Sequence, residues 1–408
     1  MTTGTSEMDD MLTPERVADP YPYFAELRAN DPVHWSDRYR AWFISRWDDV
    51  FTSLRDPRFS SDRVKPVFDT KLSDEQRAAR KPMFDILQHW MVFNDPPEHT
   101  RLRGLVNRAF TPKAIAALRP RIDEVVTSQV AEIRDRGSAD LIRDFAFPIP
   151  AVVIAEMMGV PPEERDLFKN WSDSIMALVF GAAGVPGRRE QAQASMLELA
   201  SYLQERVAYF RAHPAENLIS DLIGAQEADD RLSDEEIVST CTLVLFGGHE
   251  TTTNLIGNGT RALLHFPDQF QRLIDNPDLI APAIEELLRY DGPSKMEVRR
   301  AISDIELRGK TIREGDQVYF IQSAANRDPE QFDDPNGLDL ARNPNRHCGF
   351  GFGIHYCMGA PIARLEGAIA IDALIRALPG LRIGPGSEVW HPTLISRGMQ
   401  SFPVSWDA

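Results

Sequence analysis

From about Ile115 to Leu288 apolar residues recur at every third or fourth position, as in Ile122, Val125, Val126, Val130 and Ile133, which is the repeat of one buried helix face. Strand-like alternation is scarce there, so the stretch predicts a helical body. Strand signals flank it at Val33 to Ile44, Met296 to Ile321 and Leu394 to Trp406, where β-branched and aromatic residues sit between Gly and Pro turns. The pattern predicts a mainly α chain with small β-sheets, helix-rich over about 95–290 and 357–380 and β-rich over about 33–60, 293–322 and 385–408. Ser233-Asp234-Glu235-Glu236 reads as a capping box. It opens a helix free of proline as far as Pro267, roughly 50 Å long at ~1.5 Å per residue. No repeat, low-complexity tract or Gly/Ser linker breaks the pattern, so residues 1–408 are expected to form one interlocked domain.

Composition narrows the function classes. The net charge of −16 gives no long-range field that would attract nucleic acid or anionic lipid. Met1 to Asp10 is polar and acidic, unlike a secretion signal, and the most apolar window, Ile149 to Val160, is too short for a bilayer and broken by Pro150 and Glu156. A cytoplasmic protein with no membrane or nucleic-acid partner is expected. Three cysteines, Cys241, Cys348 and Cys357, are too few and odd in number for a disulfide framework, which leaves room for one with a chemical role.

Cys357 stands out by its surroundings. Phe350-Gly351-Phe352-Gly353-Ile354-His355-Tyr356-Cys357-Met358-Gly359 reads as a loop running into a helix. Gly351, Gly353 and Gly359 permit tight turns and a close backbone approach by a flat ligand, and Pro361 fits only a first helical turn. A thiol near a helix N-terminus is favoured as thiolate, the form that ligates metal. Two other readings are an inert buried thiol and a zinc or iron–sulfur site from His347, Cys348, His355 and Cys357, although no second close-spaced cysteine pair exists to complete the latter.

Inside the long helix, Phe246-Gly247-Gly248-His249-Glu250-Thr251 places two glycines where each costs about 1 kcal/mol relative to alanine. Two absent side chains would open a groove and a locally distorted turn. Close packing between helices is the alternative use of such residues. Three further patterns are Glu286 and Arg289, one helical turn apart; His99 and Arg103, four apart on one face; and Lys295, Glu297 and Arg299, on one side of a regular strand.

The cysteine loop is similar to the haem-binding signature of the cytochrome P-450 family, Phe-x-x-Gly-x-His/Arg-x-Cys-x-Gly, and the glycine pair with Glu250-Thr251 resembles that family's oxygen-binding motif. The resemblance covers almost the whole chain, from Pro20 to the last strand. It implies a cytochrome P-450 fold with haem b between the long central helix and the cysteine-loop helix. Cys357 would be the axial ligand, its thiolate favouring O–O cleavage. Glu250 and Thr251 would be the catalytic proton-delivery pair. His99, Arg103, Arg299, His355, Phe350, Gly351 and Gly359 would bind the cofactor, the basic ones among them through its propionates. Glu286 and Arg289, with Arg342 as third partner, would be structural. Trp90, Leu243, Val244, Gly247, Lys295, Ile395 and Met399 are the pocket candidates.

Lys295 departs from the apolar lining usual in that stretch, so it either contacts a polar or carboxylate group of the substrate or pairs with Glu297 or solvent. Residues 171–190 resemble a mobile lid. The implied activity is insertion of one oxygen atom of O2 into a small to medium, largely apolar molecule. A peroxide-using or non-monooxygenase haem-thiolate enzyme and a haem sensor are the alternatives. Because the chain lacks any flavin, nicotinamide or iron–sulfur signature, electrons from NAD(P)H would arrive through ferredoxin or flavodoxin and its reductase. That partner would dock near Arg108, Lys113, Arg346 and Arg364, and the enzyme is expected to be a monomer.

Overall fold

The computed structural model describes residues 9–164, 167–168, 170–171, 174–175, 188–227 and 230–407. Its contacts group the chain into two compact units, Met1–Ser60 with Asp123–Ile149 and Thr251–Ala408, and Ser61–Ile122 with Pro150–Glu250. Each unit is assembled from separate stretches of chain.

The first unit holds the main sheet, with strands β1 (Val33–Ser36), β2 (Ala41–Ile44), β3 (Phe59–Ser60), β4 (Met296–Ala301) and β5 (Gln317–Ile321) in the order β1-β2-β5-β4-β3. The Val33 to Ile44 strand signal is thus a hairpin, turned by residues 37–40. Strand β5 runs parallel to β2 and antiparallel to β4, with Val318 opposite Arg299 and Phe320 opposite Glu297. The Leu394 to Trp406 signal resolves into two short strands, Met399–Ser401 and Pro403–Ser405.

Helices carry the rest: α1 (Glu98–Asn107), α2 (Pro148–Met157), α3 (Asp234–His265), α4 (Ile280–Asp291) and α5 (Ala360–Ala377) are those that position the site. The α3 capping box forms as read, Ser233 N–H donating to Glu236 at 2.9 Å and Glu236 N–H to the Ser233 hydroxyl at 3.2 Å. At 32 residues, α3 spans about 48 Å. From Thr251 onward it packs in the first unit on α4 and α5 through missing side chains. A Cβ on Gly259 would lie 3.0 Å from Ile371 and 3.1 Å from Leu287, and one on Gly367 would lie 2.8 Å from Leu255. Leu255, Ile284, Leu287 and Ile371 share this core.

Among the described residues no helix is long and apolar enough to cross a membrane.

Candidate active site

In the first unit the Cys357 loop takes the form the glycines predict. Gly351 and Gly353 have φ of +68° and +73°, and a Cβ would come 2.3 Å from Glu297 Oε1 at the former and 2.8 Å from the Leu54 carbonyl at the latter, so only glycine fits either place. Cys357 N–H donates to the Phe350 carbonyl at 3.0 Å, closing the loop on itself three residues before α5 begins. The three thiols divide by environment. Burial pushes Cys241 up to about 12, and burial with the nearby Glu297 charge raises Cys348. Cys357 is only half-buried, at the positive end of an 18-residue helix.

This donor set fits a haem iron better than the alternatives raised by the sequence. Cys348 points into the protein, its sulfur 3.0 Å from Asn326 Oδ1, and His347 turns to Glu285 at 3.1 Å. Among the described residues no three His, Cys, Asp or Glu side chains gather as a metal cluster. A Cβ on Gly359 would meet only the Cys357 sulfur, at 4.0 Å, so the sulfur is not crowded by other side chains from that direction.

A network that the sequence reading missed braces this loop. Glu285 on α4 accepts two hydrogen bonds from Arg364 on α5, at 2.6 and 2.8 Å, and one from His347 Nε2. His347 Nδ1 accepts the Gly349 N–H at 3.1 Å, which fixes the ring with its proton on Nε2. The Arg364 guanidinium lies 4.5 Å over the Phe350 ring and donates to the Tyr356 hydroxyl at 3.2 Å. Burial pushes the Glu285 carboxyl up, but the bonds from Arg364 and His347 outweigh it and hold it down at about 2. The expectation that Arg364 adds a basic docking charge is therefore corrected: Glu285 neutralises it. The signal lay in the doubled acid Glu285-Glu286, where only the second residue was read.

Glu286 and Arg289 are fully buried, bonded at 2.8 Å through Arg289 Nε and one terminal guanidinium nitrogen, and Arg342 Nε lies 3.1 Å from each Glu286 oxygen. Arg289 also caps the carbonyls of Asn326, Pro335 and Gly337.

Strand β4 departs from the sequence reading at its start. Lys295 precedes the regular pleat, its N–H and that of Met296 both reaching the Ile395 carbonyl, at 2.7 and 3.2 Å. Lys295 is 4% exposed and its ammonium donates to the Thr393 carbonyl, so neither pairing with Glu297 nor contact with solvent holds. Glu297 instead accepts from Arg299 at 2.7 Å and Gln322 at 2.9 Å. Met399, 1% exposed, packs beside Gly257 of α3.

In the second unit, α3 is helical through Gly247, Gly248 and Glu250, and the two glycines serve different ends. A Cβ on Gly248 would press Ile154 of α2 at 3.0 Å, so this glycine is a packing residue. Gly247 is exposed, and a Cβ there would meet nothing within 4 Å, so it alone opens the helix surface. Trp90, 2% exposed, donates to the Thr242 hydroxyl at 2.9 Å and lies 5.0 Å from the Phe246 ring, lining the turn before that opening with Leu243 and Val244 nearby in sequence. His99 is buried and Arg103 half-buried on α1, which Arg101 ties to the start of α3 through Glu236. The lid reading falls on residues 171–190, most of which lie outside the described residues.

Residues 188–379 match the family described as Cytochrome P450. Cytochrome P450 CYP107DY1 of Priestia megaterium is 38% identical across 97% of this chain and 98% of its own length. The vitamin D(3) 25-hydroxylase of Pseudonocardia autotrophica is also 38% identical, across 99% of this chain and 98% of its own. Among solved structures, P450BioI in complex with a hexadec-9Z-enoic acid ligated acyl carrier protein has a TM-score of 0.88 at 34% identity, covering 96% of this chain and 100% of that one.

Proposed function

The chain belongs to the cytochrome P450 family, and we propose that Cys357 holds the haem iron as thiolate while Glu250 and Thr251 deliver the protons that dioxygen reduction consumes. The protein is a haem-thiolate monooxygenase of small organic substrates, using haem b and electrons that originate in NAD(P)H. Bound haem supplies the iron chemistry that reduces dioxygen and transfers one oxygen atom to carbon.

The chain supplies the rest. The Cys357 N–H bond to the Phe350 carbonyl and the glycine-only turns hold the sulfur at the head of α5, where the helix dipole favours the thiolate. Thr251 orders a proton donor by its hydroxyl, and Glu250, one residue earlier on α3, passes protons from solvent to it as a general acid in a relay. His99, Arg103, Arg299 and His355 are the residues that would hold the propionates. Gly247 leaves a bare patch of helix for a small ligand.

Vitamin D(3) and the hexadecenoyl chain named with the relatives support a largely apolar substrate. Ferredoxin or flavodoxin is the electron donor in this reading, in a cytoplasmic setting, with the exposed Arg108, Lys113 and Arg346 as docking charges. The half-buried sulfur of Cys357 at a helix head carries the assignment. Reduced protein treated with CO should show the red-shifted difference band of a thiolate ligand, and Cys357→Ala should lack it. A Cys357→Ala protein that kept the band would sink the assignment.

A further inference from the structure

At the strand end leading to Arg299 lies a buried cation that the fold leaves without a counter-ion. Among the described residues the Lys295 ammonium makes one hydrogen bond, to the Thr393 carbonyl, and no ion pair, although it carries three N–H donors. The carboxylates that could serve it are committed elsewhere. Glu297 is held by Arg299 at 2.7 Å and by Gln322 at 2.9 Å. Asp291, on α4, is held by Arg397 at 2.8 Å and by the Tyr21 hydroxyl at 2.5 Å. With Arg327 also acting on Asp291, three cations share one carboxylate.

Burial and then repulsion by Arg397, partly offset by Asp291, bring the Lys295 ammonium down to about 7. His391, the other titratable group on the Thr393 loop, is held below its ordinary value by burial. A buried ammonium served by one carbonyl is costly, and an anion brought to it would remove the cost. The Thr393 to Ile395 loop that meets Lys295 also carries the half-buried pocket candidate Ile395.

We propose that Lys295 is the recognition residue for a carboxylate on the substrate, so that the enzyme selects carboxylic acids with a hydrocarbon body. This rests on the reading of the Cys357 loop as the haem-thiolate site. Nζ exchanges the Thr393 carbonyl for, or shares it with, the substrate carboxylate. Since the pair requires a charged lysine, acid affinity is highest below pH 7 and falls as pH rises above it, toward tenfold per unit, and binding above pH 7 takes up a proton. Neutral ligands show neither effect.

The test uses the haem-loaded full chain as wild type, Lys295→Gln and Lys295→Met. Straight-chain fatty acids from hexanoic to hexadecanoic are titrated against their methyl esters, read by spin-state shift and by calorimetry in buffers of different ionisation heat. Gln keeps a donor for the Thr393 carbonyl and removes the charge. Wild type should bind at least one acid about tenfold or more tightly than its ester, the scale of one charge-assisted hydrogen bond, and both variants should lose that preference. A Gln variant that keeps the preference, or a series in which no acid favours wild type over the variants, overturns the proposal and leaves Lys295 as a structural cap. The CO difference band, recorded on the same proteins, reports the thiolate assignment separately: its absence from wild type would sink that reading and this one with it, whereas a band with no acid preference overturns only this one.

Discussion

Replacing Glu286 by Gln should cost more than any change at its more exposed partner, and the structure gives the size. The Glu286 carboxylate is fully buried and accepts from Arg289 twice at 2.8 Å, from Arg342 at 3.1 Å, from Asn345 at 3.1 Å and from the Asp339 N–H at 3.0 Å. Every neighbour is a donor, so whichever way the amide turns, its NH2 faces donors and the buried Arg289 loses its counter-charge. Breaking such a pair costs about 3 to 5 kcal/mol. With an unfolding entropy of about 2.1 cal/mol/K per residue over 408 residues, or about 0.9 kcal/mol/K, the melting temperature should fall by about 4 to 6 °C. Arg342 is 12% exposed, and its loss leaves the Glu286–Arg289 pair intact. Arg342→Ala should therefore cost about 1.5 to 3 kcal/mol, or about 2 to 4 °C. The double variant should fall short of the sum, because Arg342 stabilises only a charged Glu286. Melting of the haem-loaded proteins, followed by circular dichroism, checks the order. Equal shifts for both single variants, or strict additivity, would refute the view that the carboxylate is the hub.

Three further outcomes follow from the same structure. Thr251→Ala should keep haem and substrate binding while reductant consumption diverts into peroxide; unchanged product per reductant would defeat the proton-relay role. Glu285→Gln should loosen the cysteine loop, speeding loss of the red-shifted CO band on warming. Because Glu285 is held down at about 2, its stabilisation is complete above pH 4.5 and fades as pH falls toward 2, so the variant should lack that acid-side slope in a pH series of melts. Glu366 on α5 has the opposite sign. It is 2% exposed, its Oε2 meets no donor among the described residues, and burial pushes its carboxyl up to about 8. The native state thus keeps a proton that the unfolded chain releases, and stability falls as pH rises from about 4.5 to 8; the isosteric Glu366→Gln should flatten that slope in urea midpoints measured across the range.

What the sequence makes legible is whatever local geometry dictates. The Ser233–Glu236 box, the Pro267 stop and the 3.6-residue repeat set α3 to within a residue or two of where it lies. The loop glycines anticipate positive φ at Gly351 and Gly353 because no other residue adopts it cheaply. Failures occur where a side chain chooses among distant partners. Glu297 is two residues from both Lys295 and Arg299, and the pleat alone cannot say that it turns to Arg299 and Gln322, because Gln322 comes from the end of β5. The Arg364 charge looks available in the sequence and is cancelled by Glu285 from a helix 79 residues away.

The glycine pair on α3 shows the same division at a single turn. From the sequence both residues weaken the helix equally, by about 1 kcal/mol each, and the penalty suits an opening or a close contact alike. Gly248 has Ile154 of α2 against it, so its cost is offset by close packing in which even a Cβ would make Ile154 shift. A Cβ on Gly247 would meet nothing within 4 Å among the described residues, so packing against a neighbouring element does not account for it there. That bare backbone lies three residues before Glu250 and four before Thr251, about one helical turn in either case, so all three fall along the same side of α3. If Glu250 and Thr251 form the proposed proton relay, a helix that gives up stability at a residue aligned with both would admit a small molecule there, which is the demand that proton-coupled reduction of dioxygen makes on it.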